Sequence, residues 1–177
     1  HAQGYSPTYF SKADFKEDLQ FLSQKVMHMH PKLLLPGESE RWKFMLDSIE
    51  KNLTDSISYN DAYIKASNTL ATLHDGHSGF SFSYTERAKY NEHGGVTMPF
   101  TVRVVKDKLF INQYFGDNRS GKFSGAEILA INSISSGEIL RKMRGLSASV
   151  STYGIERYFG PYFWMFWGAQ REYRVSF

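Results

Sequence analysis

The hydrophobic positions of the first part of the chain recur at helical spacing in three stripes. The first stripe runs from Phe15 to Met29 at intervals of three and four residues. Pro31 ends it, because the residue before a proline is disfavoured in the α region. A second stripe covers Trp42–Leu53 and a third covers Ala62–Leu73. Three helices with short connections predict an antiparallel three-helix bundle over residues 11–76.

Helix-start and helix-stop signals support these boundaries. Ser11 is followed three residues later by Asp14, and Ser58 by Asp61, which is the spacing of an N-terminal capping box. Gly76 is expected just past the end of the third helix, where glycine adopts the left-handed conformation at no steric cost.

The pattern changes to strand-like runs in the second part of the chain. Met98–Phe115 holds two β-rich runs around a Lys-Asp-Lys turn, which predicts a hairpin. Residues 121–132 predict a turn and a short strand, residues 136–144 a helix, and residues 172–177 a closing strand. The sequence therefore predicts an α+β fold, in which a helical domain (11–76) precedes a β-rich domain (77–177).

Composition limits the classes of function. The chain has 177 residues, of which 41% are hydrophobic and 16% aromatic, enough to bury a core. The net charge is +3 and the basic residues are scattered singly, so we expect no nucleic-acid partner. Cysteine is absent, which excludes disulfides and thiolate metal sites. The N-terminal His-Ala-Gln-Gly suits a chain trimmed after a signal peptide, so we expect a periplasmic or extracellular protein.

The stretch LHDGHSGF (residues 73–80) concentrates the candidate chemistry. Taken alone, it is compatible with a general base, with polar residues that close a helix end, or with a metal site formed by His74, His77 and His93. Metal is the weakest of these, because nothing completes a tetrahedral ligand set. Ser78 lacks the glycine-flanked elbow of a serine nucleophile.

Two motifs carry a resemblance. Gly125–Asn132 (GAEILAIN), followed by a short helix, resembles the buried strand of PDZ domains, with Ser133 where glycine is usual. The second motif is Asp75-Gly76-His77, at the end of the helical region. The pair His30-Pro31, at the end of the first helix, adds to the resemblance. In this order, the motifs resemble the N-terminal part of the C-terminal-processing and tricorn-type serine peptidases, over roughly residues 12–177.

The resemblance implies a function. Such peptidases hydrolyse peptide bonds with a serine nucleophile on an α/β domain that follows the PDZ-like unit. We therefore expect this chain to be an accessory region, inactive alone, whose partners are peptide or unfolded-protein substrates and the missing catalytic domain. In the tricorn-type branch His77 would be the general base, whereas the processing-type branch uses a Ser–Lys pair and His77 would be structural. No cofactor or metal is implied.

A binding role without catalysis is the alternative. A PDZ-like unit captures the C-terminus of an extended peptide, and Gly94–Phe100 (GGVTMPF) resembles the loop that holds the carboxylate. The segment Tyr158–Gly168 (YFGPYFWMFWG) holds seven aromatic residues, more than one small domain is expected to bury. It predicts an outward apolar patch that docks the missing catalytic domain or self-associates, and Trp164→Ser or Trp167→Ser would weaken that association without unfolding the helical bundle. In the alternative, the overlapping segment Tyr153–Trp167 stacks sugars or other ligands.

Overall fold

The structure is a computed structural model and describes residues 5–116, 121–146, 152–168, 170 and 172–177. It is an α+β fold with small antiparallel sheets. The helices are α1 (Lys12–Met29), α2 (Glu38–Lys51), α3 (Tyr59–Ala71), α4 (Tyr84–Glu92), α5 (Ser136–Met143) and α6 (Tyr153–Trp167). The strands are β1 (Tyr9–Ser11), β2 (Ser56–Ser58), β3 (Phe100–Val105), β4 (Lys108–Tyr114), β5 (Glu127–Ile128), β6 (Ala130–Ile131), β7 (Ile134–Ser135) and β8 (Val175–Ser176). Residues 1–4, on which the expectation of export rests, lie outside the described part.

The predicted N-terminal caps of α1 and α3 are confirmed. Ser11 Oγ accepts a hydrogen bond from the Asp14 backbone N–H at 3.1 Å, and Asp14 Oδ2 accepts one from the Ser11 N–H at 3.3 Å. The Asp61 N–H donates to Ser58 Oγ at 3.1 Å in the same way. Each cap satisfies N–H groups that the helix itself leaves without an acceptor.

The first three helices enclose one apolar core. It contains residues from each of the predicted stripes, among them Phe15, Leu19, Trp42, Leu46, Ala62 and Leu70. The short β1–β2 ladder lies beside it, with Phe10 opposite Ile57. The first stripe predicts an apolar face that continues to Met29, but the buried part of this face ends before that residue. Met29 is 74% exposed there, because the chain leaves the core as α1 ends.

The β-rich part holds a second core. The predicted hairpin is confirmed as β3 and β4, joined by Lys106 and Asp107 in the left-handed conformation, and β5 extends this sheet. The second sheet has the order β7-β6-β8, all antiparallel. Helix α6 covers β3, where Glu156 Oε1 accepts a hydrogen bond from the Val104 N–H at 3.0 Å. This contact satisfies a backbone donor of β3.

Two predicted boundaries differ. Helix α3 ends at Ala71, and the left-handed residue after it is His74 (φ 53°), not Gly76. The reversal therefore comes two residues earlier than the glycine suggested. The closing strand pairs only over Val175–Ser176. Helix α4 was not predicted, because it buries only Glu86 and Tyr90 and shows little amphipathic pattern.

The aromatic segment lies in helix α6 and its C-cap Gly168, and Trp164, one of the two residues chosen to disrupt the predicted outward patch, is buried instead. Phe159, Phe163 and Trp164 are buried, and Tyr158, Tyr162, Phe166 and Trp167 are half-buried. The rings fit because α6 has two partners. One side packs on β3 in the second core, and the other joins a third cluster with Tyr63 of α3 and Tyr90 of α4. The boundary expected at residue 76 lies between α3 and α4, and this third cluster contains residues from both sides of it.

Candidate functional site

The segment after α3, residues 75–79 and here called the His77 loop, is built around one carboxylate. Oδ1 of Asp75 accepts a hydrogen bond from the His77 backbone N–H at 3.0 Å. Oδ2 accepts one from the Ser78 hydroxyl at 2.9 Å and lies 3.3 Å from Nε2 of His30. Asp75 therefore orders the turn and connects it to the end of α1.

His30 is held in a defined orientation and tautomer. It closes α1 in an extended conformation (φ −91°, ψ 117°), as expected before a proline. Its Nδ1 accepts a hydrogen bond from the Lys32 N–H at 3.3 Å, so the ring proton is on Nε2 in the neutral form. Nε2 therefore donates to Asp75. The sequence places His30 at the end of the first helix but does not predict its contact with Asp75.

These contacts act on the ionisation of Asp75. The N–H of His77 and then the hydroxyl of Ser78 hold the pKa of Asp75 below its usual range, and His30 acts in the same direction. Partial burial opposes them but does not prevail. The side chain of Asp75 is 36% exposed, so solvent screens part of the effect.

The ring of His77, the predicted general base, lies on the surface. Its backbone is fixed by Asp75, and among the described residues no hydrogen bond is made by its imidazole. Ser78 donates to Asp75 and not to an imidazole, so the order of groups differs from a Ser-His-Asp triad, in which histidine lies between the other two. Ser78 therefore holds the turn here, and its sequence context lacks the glycine-flanked elbow of a nucleophile.

The histidines considered for metal binding do not come together. His74 is exposed beside the turn, and Nδ1 of His93 lies 2.8 Å from the carbonyl oxygen of Lys89 on α4. Within the described residues, no three His, Cys, Asp or Glu side chains are grouped to hold a metal ion.

A groove adjoins the loop that resembles a carboxylate-binding loop. The cavity has a volume of about 390 Å³, and Val96, Thr97 and Pro99 form one wall. Its other walls include Phe100, Ile111, Tyr114, Phe123, Tyr173 and Phe177. The carbonyl oxygen of Val96 accepts hydrogen bonds from the hydroxyls of Tyr90 at 2.7 Å and Tyr173 at 3.0 Å, so the loop is anchored. Among the described residues, the N–H groups of Val96 and Thr97 have no protein acceptor.

A second apolar cavity, of about 340 Å³, lies between α1 and α3. Phe80, directly after the His77 loop, lines it together with Leu19 and Tyr63. The hydroxyl of Tyr63 donates to the carbonyl oxygen of Phe80 at 3.1 Å. Burial raises the pKa of Tyr63 to about 12.

Sequence reasoning found the His77 loop but missed the residue that anchors it. His30 and Asp75 are 45 positions apart, and no periodicity relates them. The available signal was that each is a polar residue at the end of a predicted helix, where side chains satisfy free backbone or side-chain groups. This signal predicts a capping residue at the end of each helix, but it does not predict that the two side chains contact each other.

Comparison with protein-family models, with curated proteins and with solved structures gave no match. The similarity to the C-terminal-processing and tricorn-type peptidases therefore rests on the motifs quoted from the sequence. Among the described helices, none combines the length and apolar character that crossing a membrane requires.

Proposed function

We propose that this chain is the accessory and substrate-binding region of an exported serine peptidase. Its three-helix bundle presents His77 as the general base, and its PDZ-like unit captures peptide. The serine nucleophile is supplied by another domain. The order of the sequence motifs suggests this function, and the geometry of the His77 loop supports it.

One observation carries the proposal: the His77 imidazole is exposed on a loop whose backbone is fixed. A serine hydroxyl is a weak nucleophile at its own pKa and needs an imidazole within hydrogen-bond reach to take its proton. The Asp75 carboxylate holds the main chain of His77 through the 3.0 Å hydrogen bond and does not occupy its ring. The ring is thus available to a hydroxyl that approaches from solvent.

The groove supports the peptide-binding half of the proposal. Among the described residues, the N–H groups of Val96 and Thr97 have no protein acceptor, and such groups can hold a peptide carboxylate. The apolar cavity beside them can hold the side chain next to that carboxylate. The same observation favours a second candidate, a peptide-binding module without catalysis. For the aromatic-surface version of that candidate, the accessible rings are the half-buried Tyr158, Tyr162, Phe166 and Trp167.

The test is a peptidase assay on the full-length natural protein with His77→Ala. We expect kcat to fall by several orders of magnitude with unchanged folding, because a base and its nucleophile act as a unit. His28→Ala, which removes an exposed histidine from α1, is the matched control and should keep normal turnover.

Near-normal turnover of His77→Ala would assign His77 a structural role and favour a Ser–Lys peptidase. The isolated chain should leave labelled peptides intact, because among the described residues no serine hydroxyl donates to an imidazole. Cleavage that survives repurification and disappears in Ser78→Ala would contradict the accessory role.

A further inference from the structure

The His77 loop has one anchor outside itself. The hydrogen bonds within residues 75–79 join Asp75 to the N–H of His77 and to both the N–H and the hydroxyl of Ser78. Within the part of the chain that the structure describes, His30 makes the one hydrogen bond between this segment and a residue beyond it. That contact is therefore the direct hydrogen-bonded link between the loop and the end of α1.

The anchor itself is rigid. The His30 side chain is only 14% exposed, and its ring is fixed from both nitrogens, by the Lys32 N–H on one side and by Asp75 on the other. A side chain that is already immobilised by a backbone donor loses little further freedom when it binds a carboxylate. His30 is therefore suited to hold a loop in place.

The chain that enters the loop is strained. His74 has φ 53°, in the left-handed region that residues other than glycine adopt uncommonly, although histidine is among those found there more often. Such conformations persist where the surrounding contacts determine them. The His74 N–H donates to the carbonyl oxygen of Ala71, and the next residue is Asp75, the partner of His30. Without that partner, the turn has less to keep it in the strained state.

We propose that His30 is a positioning residue for His77. It holds Asp75, and Asp75 holds the main chain of His77 and the hydroxyl of Ser78. The proposal rests on the proposed function, in that an ordered His77 serves as the base of a peptidase. The ordering itself is a property of the chain alone and is measured without any activity.

The experiment is amide hydrogen exchange by NMR on the intact chain. In His30→Ala we expect the amides of His77 and Ser78 to exchange about tenfold faster, the effect of losing one hydrogen bond to a charged group. Amides in the core of the first three helices should keep their protection. His30→Gln retains an N–H donor and should restore part of the protection. His28→Ala, an exposed histidine two residues earlier, should change nothing.

Unchanged exchange at His77 in His30→Ala would overturn the proposal, and so would equal acceleration in every helix. If His30→Ala fails to fold, His30→Phe keeps a ring at this position but has no donor for Asp75, and it should accelerate the same two amides. The proposed function is tested by a separate measurement. It fails if His77→Ala has normal peptidase turnover, whatever the exchange rates are. A loss of loop protection with normal turnover would therefore reject the peptidase base and retain the positioning contact.

Discussion

Asp75 is the residue whose ionisation shapes the candidate site. Its carboxylate accepts hydrogen bonds from the N–H of His77 and the hydroxyl of Ser78 and pairs with His30. All three contacts favour the charged form, so the pKa of Asp75 is lower in the folded chain than in the unfolded chain. Protonation of this one group removes its negative charge and so weakens each contact.

The first prediction concerns Asp75 and acid. A carboxylate with a lowered folded-state pKa contributes stability above its unfolded-state value, close to 3.8, and loses it as pH falls through the folded-state pKa. We expect Asp75→Asn to be less stable than the unsubstituted chain at neutral pH, and the difference to shrink as pH falls below 3.8. Urea unfolding at a series of pH values measures it.

The matched control for acid sensitivity is Asp47→Asn, at an exposed position of α2. The free energy of unfolding of this variant should equal that of the unsubstituted chain at every pH. The reason is that, among the described residues, the Asp47 side chain makes no hydrogen bond or salt bridge. A difference between Asp75→Asn and the unsubstituted chain that stays constant down to the lowest pH would contradict the assigned contacts.

The elements of this fold differ in how much of them the sequence predicts. Helices α1 to α3 and the β3–β4 hairpin follow from local information, because apolar spacing, caps and a turn are each encoded within a few residues. Helix α4 has a Ser83–Glu86 cap but little apolar periodicity, so its pattern gives no signal. The rings of α6 are covered by residues that are far away in the sequence. When the segment is considered alone, it therefore predicts more aromatic residues than a small domain can bury.

The groove beside the α4–β3 loop gives the prediction at the scale of an element. Peptides with a free C-terminus should bind at least about tenfold more tightly than their amidated forms, because N–H groups form stronger bonds to a carboxylate than to a neutral amide. Calorimetry with a small peptide panel measures the ratio. Thr97→Pro removes one of the unpaired N–H groups and should reduce the preference, whereas Thr97→Ala keeps the N–H and should retain it.

Equal affinity for the free and amidated peptides, or no binding of either, would remove the carboxylate-binding role of the groove. The loop would then be a structural connection between α4 and β3. The peptidase proposal for His77 is tested independently of this result.

At the scale of the whole molecule, the cluster around Trp164 joins the helical and β-rich parts. The Trp164 ring stacks on Tyr90 with centroids 3.9 Å apart and meets the rings of Tyr5 and Phe82 edge-on. Its Nε1 donates to the carbonyl oxygen of Pro161 at 2.8 Å. Tyr63 of α3 belongs to the same cluster. One buried indole thus contacts segments from the N-terminus, the α3–α4 connection, α4 and α6.

The last prediction follows from that position. Trp164 is 1% exposed, so Trp164→Ala should lower the free energy of unfolding by about 3–5 kcal/mol, the cost of removing a large ring from a packed core. This replaces the expectation that Trp164→Ser would weaken self-association and leave the fold unchanged. Phe44→Ala is the control, since Phe44 is 77% exposed on α2 and its loss should cost no more than about 0.5 kcal/mol. Urea unfolding of both variants measures the difference. A Trp164→Ala variant as stable as Phe44→Ala would show that the two parts of the chain are held together without this cluster.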